Sequence, residues 1–299
     1  MTNHSLLIPL ILMIIFHPLF AQENLNSPEE YFRHNPGRLF SINTADVNQS
    51  LDLSILVGGS FGLENSEGFL GSISFGLGGY GDIEVNTASL LGSIFSETEN
   101  FASIGLKIKV LQETSRNPGI TINLRTNNDW YNSNTSDIRK NSPELAEYGL
   151  VGISYDTRIT HLILTLSKRM NDKFRIHIST GIGDLRYKSL HAVFGDKVVT
   201  DDSEKQKNTF YFATGFDFEL SEMTKLIFEG QTIPYFKVNP KTGLISPDLR
   251  KVYSGGLRVF VTRWLLLDSG FRYQDNYRGL ADTEIKIALQ AFINVAGRK

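Results

Sequence analysis

From residue 51 to the C-terminal region, apolar side chains recur at every second position over stretches of about ten residues. That period suits a β-strand, which presents alternate residues to opposite sides, and no α-helix can use it. Ile104, Leu106, Ile108 and Val110 alternate with Ser103, Gly105, Lys107 and Lys109, and beyond residues 115–119 come Ile120, Ile122 and Leu124 against Thr121, Asn123 and Arg125. Phe210, Phe212, Phe216, Phe218 and Leu220 oppose Tyr211, Ala213, Gly215, Asp217 and Glu219. The last stretch sets Ile285, Ile287, Leu289, Ala291, Ile293 and Val295 against Glu284, Lys286, Ala288, Gln290 and Asn294. No long helical period competes, and the chain reads as all-β.

The connections between these strands alternate in length. Tight turns are expected at residues 170–172, 221–224 and 262–264, with long polar connections at 189–208, 234–249 and 274–282 between them. Short turns on one side and long loops on the other describe an up-and-down antiparallel transmembrane β-barrel, and strands of roughly 9 to 11 residues suffice to cross the hydrocarbon layer. The pattern predicts about twelve strands, at residues 51–61, 69–78, 82–94, 102–111, 119–126, 160–168, 173–186, 209–220, 225–233, 251–261, 265–273 and 283–295. Residues 148–155 also look strand-like and are read as an external hairpin arm or an extension of the next strand; fourteen strands is the alternative count. A soluble secreted β-protein, with the Phe210 to Leu220 face in a core, is the competing fold.

Compartment follows from the N-terminus. Residues 6–16, LLIPLILMIIF, are followed by His17 and Pro18, then Leu19, Phe20 and Ala21 ahead of the polar Gln22. This predicts a secretory signal cleaved after Ala21; a spanning helix would need about 20 apolar residues without such prolines. The expected organisation is a signal peptide at 1–21, a periplasmic N-terminal segment at 22–50 and an outer-membrane barrel at 51–299, in the outer membrane of a Gram-negative bacterium. Ser27, Pro28, Glu29 and Glu30 resemble a capping box opening a turn of helix. The 22–50 stretch reads as a tail or as a small plug in the barrel.

Composition removes whole classes of chemistry. There is no cysteine, so disulfides, thiolate metal sites and a lipoprotein anchor are excluded, and a net charge of −2 does not suit a phosphate-binding surface. The glycine-rich residues 76–81 lack the Lys-Ser/Thr of a phosphate loop and read as a hairpin turn. Asp201, Asp202, Ser203 and Glu204 form an acidic loop tip, read as solvated. His34, His161, His177 and His191 are the candidate acid–base groups, with His161, His191 and the Asp201–Asp202 pair expected toward the outer rim. No nucleophile motif accompanies them, so neither catalysis nor a cofactor is expected.

The phrases GLGGYGDIEV at 76–85, LTLSKRMNDKFRIH at 164–177 and GLRVFVTRWL at 256–265 carry a resemblance. The chain is similar, over residues 51–295, to Gram-negative outer-membrane β-barrel proteins, including the exopolysaccharide-associated, YjbH-like group and other uncharacterised twelve-stranded barrels. The resemblance implies a lipid-embedded barrel inserted by the barrel assembly machinery. Barrels of this kind commonly end on an aromatic residue, whereas here Phe292 is followed by residues 293–299.

If the apolar side meets lipid, the other side lines a lumen. Its candidate pore-lining residues are Lys107, Lys109, Arg125, Arg175, Asp217, Glu219, Glu229, Arg258, Asp268, Arg272 and Lys286, with Lys225 and Glu284 on the same side. Trp264, Tyr187, Tyr235, Phe236 and Tyr273 are expected in interfacial girdles. The function expected is that of a passive pore or a transport or export component passing a small solute or an exported polymer, with no role in binding nucleic acid. A structural or surface-interaction barrel with a closed lumen is the alternative, and an outer-membrane hydrolase the third.

Overall fold

The computed structural model describes residues 36–61, 66–87, 102–134, 147, 149–238, 245–275 and 283–295. The signal peptide, the capping-box turn and His34 lie outside these residues. The strands are β1 (Asp52–Phe61), β2 (Ser66–Gly76), β3 (Gly81–Thr87), β4 (Ala102–Leu111), β5 (Gly119–Asn134), β6 (Leu150–Arg169) and β7 (Phe174–Phe194). They continue as β8 (Lys197–Asp201), β9 (Lys205–Ser221), β10 (Thr224–Val238), β11 (Ile245–Phe260), β12 (Leu265–Gln274) and β13 (Glu284–Asn294).

Each strand pairs antiparallel with its neighbours. β1 closes on β13 from Asp52↔Asn294 to Phe61↔Ile285, and β6 closes on β7, so the ring of twelve strands is continuous. β9 pairs with β7 up to Tyr187↔Lys205, while β8 pairs with the far end of β7. The result is a closed twelve-strand barrel with one extra strand. Residues 150–155, the strand-like stretch of ambiguous parity, are the beginning of β6.

The turns at the end holding β1's start and β13's finish are tight. At 77–80 Gly78 and Gly79 take φ of 68° and 77°, the left-handed pair that a two-residue hairpin needs. The turns at 170–173, 222–223 and 261–264 stand on the same side. Several strands run farther than expected at the opposite end. The outer residues of β9, 205–208, are polar on both sides, so the alternation fades there although the ladder continues, whereas the outer part of β7 keeps Tyr187, Leu190 and Ala192 buried.

The polarity of a soluble protein is inverted. Outward side chains are apolar and bare, with Ile104, Phe210 and Ile285 each 60% exposed, while inward ones are polar and buried, with His177 at 0% and Arg258 at 3%. No helix among the described residues is long and apolar enough to cross a membrane. A closed barrel with charges inside and hydrocarbon outside is the form in which strands cross one, because every backbone group is paired within the wall.

On the outer surface Phe174, Phe216, Phe228 and Phe271 form a row, with centroids 5.5, 5.4 and 6.5 Å apart. The row crosses β11 at Gly255, where a Cβ would lie 2.6 Å from the Phe228 ring and 2.9 Å from that of Phe271. Trp264 is exposed at its turn. Tyr187, expected in a girdle, is instead buried with Leu150, Ile153, Tyr155, Leu190 and Ala192 at the inner side of the β6–β7 extension. The Tyr235 and Phe236 side chains lie outside the described residues. Phe292 points inward, against Phe260 and Leu266.

Candidate functional site

Strand parity turns every candidate pore-lining residue to the inside: Lys107 and Lys109 on β4, Arg125 on β5, Arg175 on β7, Asp217 and Glu219 on β9, Glu229 on β10, Arg258 on β11, Asp268 and Arg272 on β12, and Lys286 on β13. Some neutralise one another within the wall. Arg258 grips Asp268 with two hydrogen bonds of 2.7 and 2.8 Å, and Arg272 holds Glu284 at 2.9 Å. Lys225 reaches Asp217 at 3.1 Å and Glu219 at 3.4 Å.

Lys109 donates to Gln112 and Arg125 to Ser103, while Lys107, Arg175, Glu229, Arg258 and Lys286 meet residues 36–50, which lie inside the barrel on the side of the tight turns. This stretch folds on itself: Leu39 N–H donates to the Ile42 carbonyl at 2.8 Å, Thr44 N–H to that of Gly37 at 3.0 Å, and Arg38 bridges Asn43. At the hairpin tip the amides of Phe40, Ser41 and Ile42 converge on one Glu229 oxygen at 3.1, 3.0 and 3.2 Å, a nest of backbone donors around a carboxylate. The Ser41 hydroxyl donates to the other oxygen and accepts from Gln231 at 2.7 Å.

Cations treat the carbonyls likewise. Lys107 donates to the carbonyls of Gly37 and Asp46 at 2.7 and 2.6 Å, and Arg258 to those of Arg38 and Leu39 at 3.1 and 2.7 Å. Asp82 accepts from Asn48 N–H at 2.8 Å, and Ser167 from Ala45 N–H at 2.7 Å. Arg38 pairs with Glu84 at 3.1 Å. Burial pushes the Asp46 carboxyl up, but the Arg175 guanidinium, bonded to both its oxygens, outweighs this and holds it at about 2.

Apolar contacts seat the tip. Leu39 and Phe40 pack on Ile227, and Ile42 on Ile163, Tyr211 and Ala213. Gly215 makes room, since a Cβ there would stand 2.5 Å from a Leu39 methyl group. Lys286 lies over the Phe40 ring, 5.2 Å from its centroid. Of the two sequence readings of this segment, tail and plug, these are the contacts of a plug.

A hydroxyl, an imidazole and a carboxylate also stand in line beneath the plug. Ser167 Oγ is 2.7 Å from His177 Nδ1, and His177 Nε2 is 2.9 Å from Asp217. The Asp217 carboxylate only accepts, so Nε2–H donates to it, and Nδ1 of the neutral ring accepts from the Ser167 hydroxyl, whose oxygen also accepts from Ala45 N–H. The chain of bonds thus ends on the plug backbone and ties it to the Asp217–Lys225 pair. His161 faces inward 6.2 Å from Tyr211, and its Nε2 has no partner among the described residues. His191 is exposed on the β7–β8 hairpin, opposite Thr200. Asp201 accepts from Ser203, its loop neighbour. The structure therefore does not gather His161, His191 and the acidic tip into one constellation.

The fold and this lumen define a membrane-spanning β-barrel occupied by its own N-terminal segment. No protein-family model matches the chain, and no curated protein sequence does. Among solved structures it is similar to the translocator domain of the autotransporter NalP from Neisseria meningitidis, at TM-score 0.45 and 11% identity over 82% of this chain and 88% of that one. It is also similar to the toluene transporter TodX of Pseudomonas putida, at TM-score 0.36 and 12% identity over 81% and 88%, and to the outer membrane protein Omp33 of Acinetobacter baumannii, at 0.39 and 7% over 82% and 100%. Likenesses this distant carry no information on activity. The assignment as a transmembrane barrel rests on the chain's own pairing and polarity.

Proposed function

We propose that this chain is a transport barrel of the Gram-negative outer membrane whose aqueous path is held shut by residues 36–50. In this reading residues 1–21 direct it across the inner membrane, the barrel assembly machinery inserts it, and it works as a conduit without a catalytic step. The observation that supports a gated conduit over a solid structural barrel is the way the plug is held. Its hairpin is fixed by polar contacts to charges of the wall, among them Glu229, Lys107, Arg258 and Asp82, rather than by a continuous apolar core. Such contacts can be exchanged for water when the segment leaves, whereas apolar packing of the same extent could not be replaced so cheaply.

Proteoliposome swelling in sugars of graded size tests this. The intact protein should admit them slowly, and a Glu229→Ala, Lys107→Met double variant, confirmed as folded by heat-modifiable gel mobility, should admit small sugars markedly faster. Equal, slow swelling of both would turn the assignment toward a closed barrel whose work lies at its outer surface.

A further inference from the structure

Many of the hydrogen bonds between wall and plug are made to the plug's main chain. Lys107 and Arg258 take main-chain carbonyls, while Glu229, Asp82 and Ser167 take main-chain amides. These groups come from β4, β11, β10, β3 and β6, so the array runs around the ring rather than along one strand. In this set the cations meet carbonyl oxygens and the anions meet N–H groups, the pattern that complements a peptide backbone, while Arg175–Asp46 and Glu84–Arg38 add side-chain pairs particular to this segment. A sugar or a hydrocarbon offers no such alternation of donors and acceptors at peptide spacing.

We propose that the lumen is a binding site for polypeptide, occupied at rest by residues 36–50, and that a peptide segment supplied in trans takes the same place. This rests on the transport reading and narrows its cargo to a polypeptide segment, with the plug as its built-in competitor. The hairpin conformation shows the bound form: a narrow reversal whose tip amides cap Glu229, with small or apolar side chains at Leu39, Phe40, Ser41 and Ile42 where the wall comes closest. Tethering gives the plug an effective concentration in the millimolar range, so a free peptide competes weakly until the plug is removed or unseated.

The test is binding of a fluorescent synthetic peptide of residues 36–50 to the refolded barrel lacking those residues, read by anisotropy in detergent and by current block in planar bilayers. If that deletion does not fold, the full chain carrying Leu39→Asp and Phe40→Asp replaces it. The parent peptide should bind, and N-methylation of the Phe40, Ser41 and Ile42 amides should weaken it more than tenfold. Replacing the Asn43 side chain of the peptide by alanine should change affinity less than threefold. Glu229→Gln or Lys107→Met in the barrel should weaken the parent peptide, and the intact protein should bind it at least a hundredfold less tightly. An N-methylated peptide that binds as well as the parent, or a polyethylene glycol of equal size that competes as well, would overturn the proposal. A barrel that binds the peptide but passes no current would overturn the transport reading alone; one that conducts but neither binds nor is blocked would overturn this inference alone.

Discussion

Glu229 accepts three successive amides and a hydroxyl from the plug tip, which makes it the residue at which seating of the plug is most open to attack. Its loss leaves buried N–H groups without partners, at about 2 kcal/mol or roughly a thirtyfold shift toward the unseated form. Proteolysis of residues 36–50 in the folded barrel should accelerate by that factor in Glu229→Ala, and unchanged protection would contradict the assignment. Asp46 gives a pH dependence. Its carboxyl titrates at about 2 in place against an ordinary 3.8, so the unseated chain binds more protons in between. The Asp46–Arg175 contribution is therefore fully present above about pH 4 and is lost as pH falls toward 2. Protease protection of the segment should be flat from pH 8 to about 4 and fall below that, and the fall attributable to this pair should be absent in Asp46→Asn. Side-chain direction was readable from the sequence because period two assigns it, and every pore-lining candidate faces inward. The partners of those charges were not. Phe40 meets Glu229 across 189 residues of chain, and nothing in 36–50 has a period that would announce it.

The elements carry their own tests. Phe216 stands in the outer row between Phe174 and Phe228, and Phe216→Arg should destabilise insertion by roughly 2 to 4 kcal/mol if that row meets mid-bilayer lipid. A soluble, fully folded variant would argue instead for a water-exposed barrel. Gly255 lets the Phe228 and Phe271 rings meet over β11, so Gly255→Val should lower the temperature at which the folded gel band disappears, by more than the same change at Gly105, where a Cβ meets nothing closer than 3.7 Å. Strand positions were legible because apolar alternation and tight turns are local. Strand lengths were less so. β6 and β7 run on beyond the expected strand ends, and a β-bulge opposite Tyr155 includes Ser189 at φ 54°. Tyr187, which looks like a girdle residue by composition, keeps the inward parity of Arg175 and His177, and the bulge after it brings Leu190 and Ala192 into the same inner cluster.

At the scale of the whole molecule, twelve strands close into a continuous ring that turns its charges inward, and the plug then satisfies charges that the wall leaves over. The two halves of that arrangement differ in how they could be inferred. Closure follows from alternating short turns and long loops, whereas occupation of the lumen depends on contacts between strands far apart in the chain. The most direct test is single-channel conductance in planar bilayers of the intact protein beside one lacking residues 36–50, with folding of both confirmed by heat-modifiable mobility. The account predicts a silent or rarely opening intact protein and discrete, sustained steps from the deleted one, whose ion selectivity changes on replacing Arg258 or Arg272. Two folded barrels that pass no current, or two that conduct equally, would contradict it.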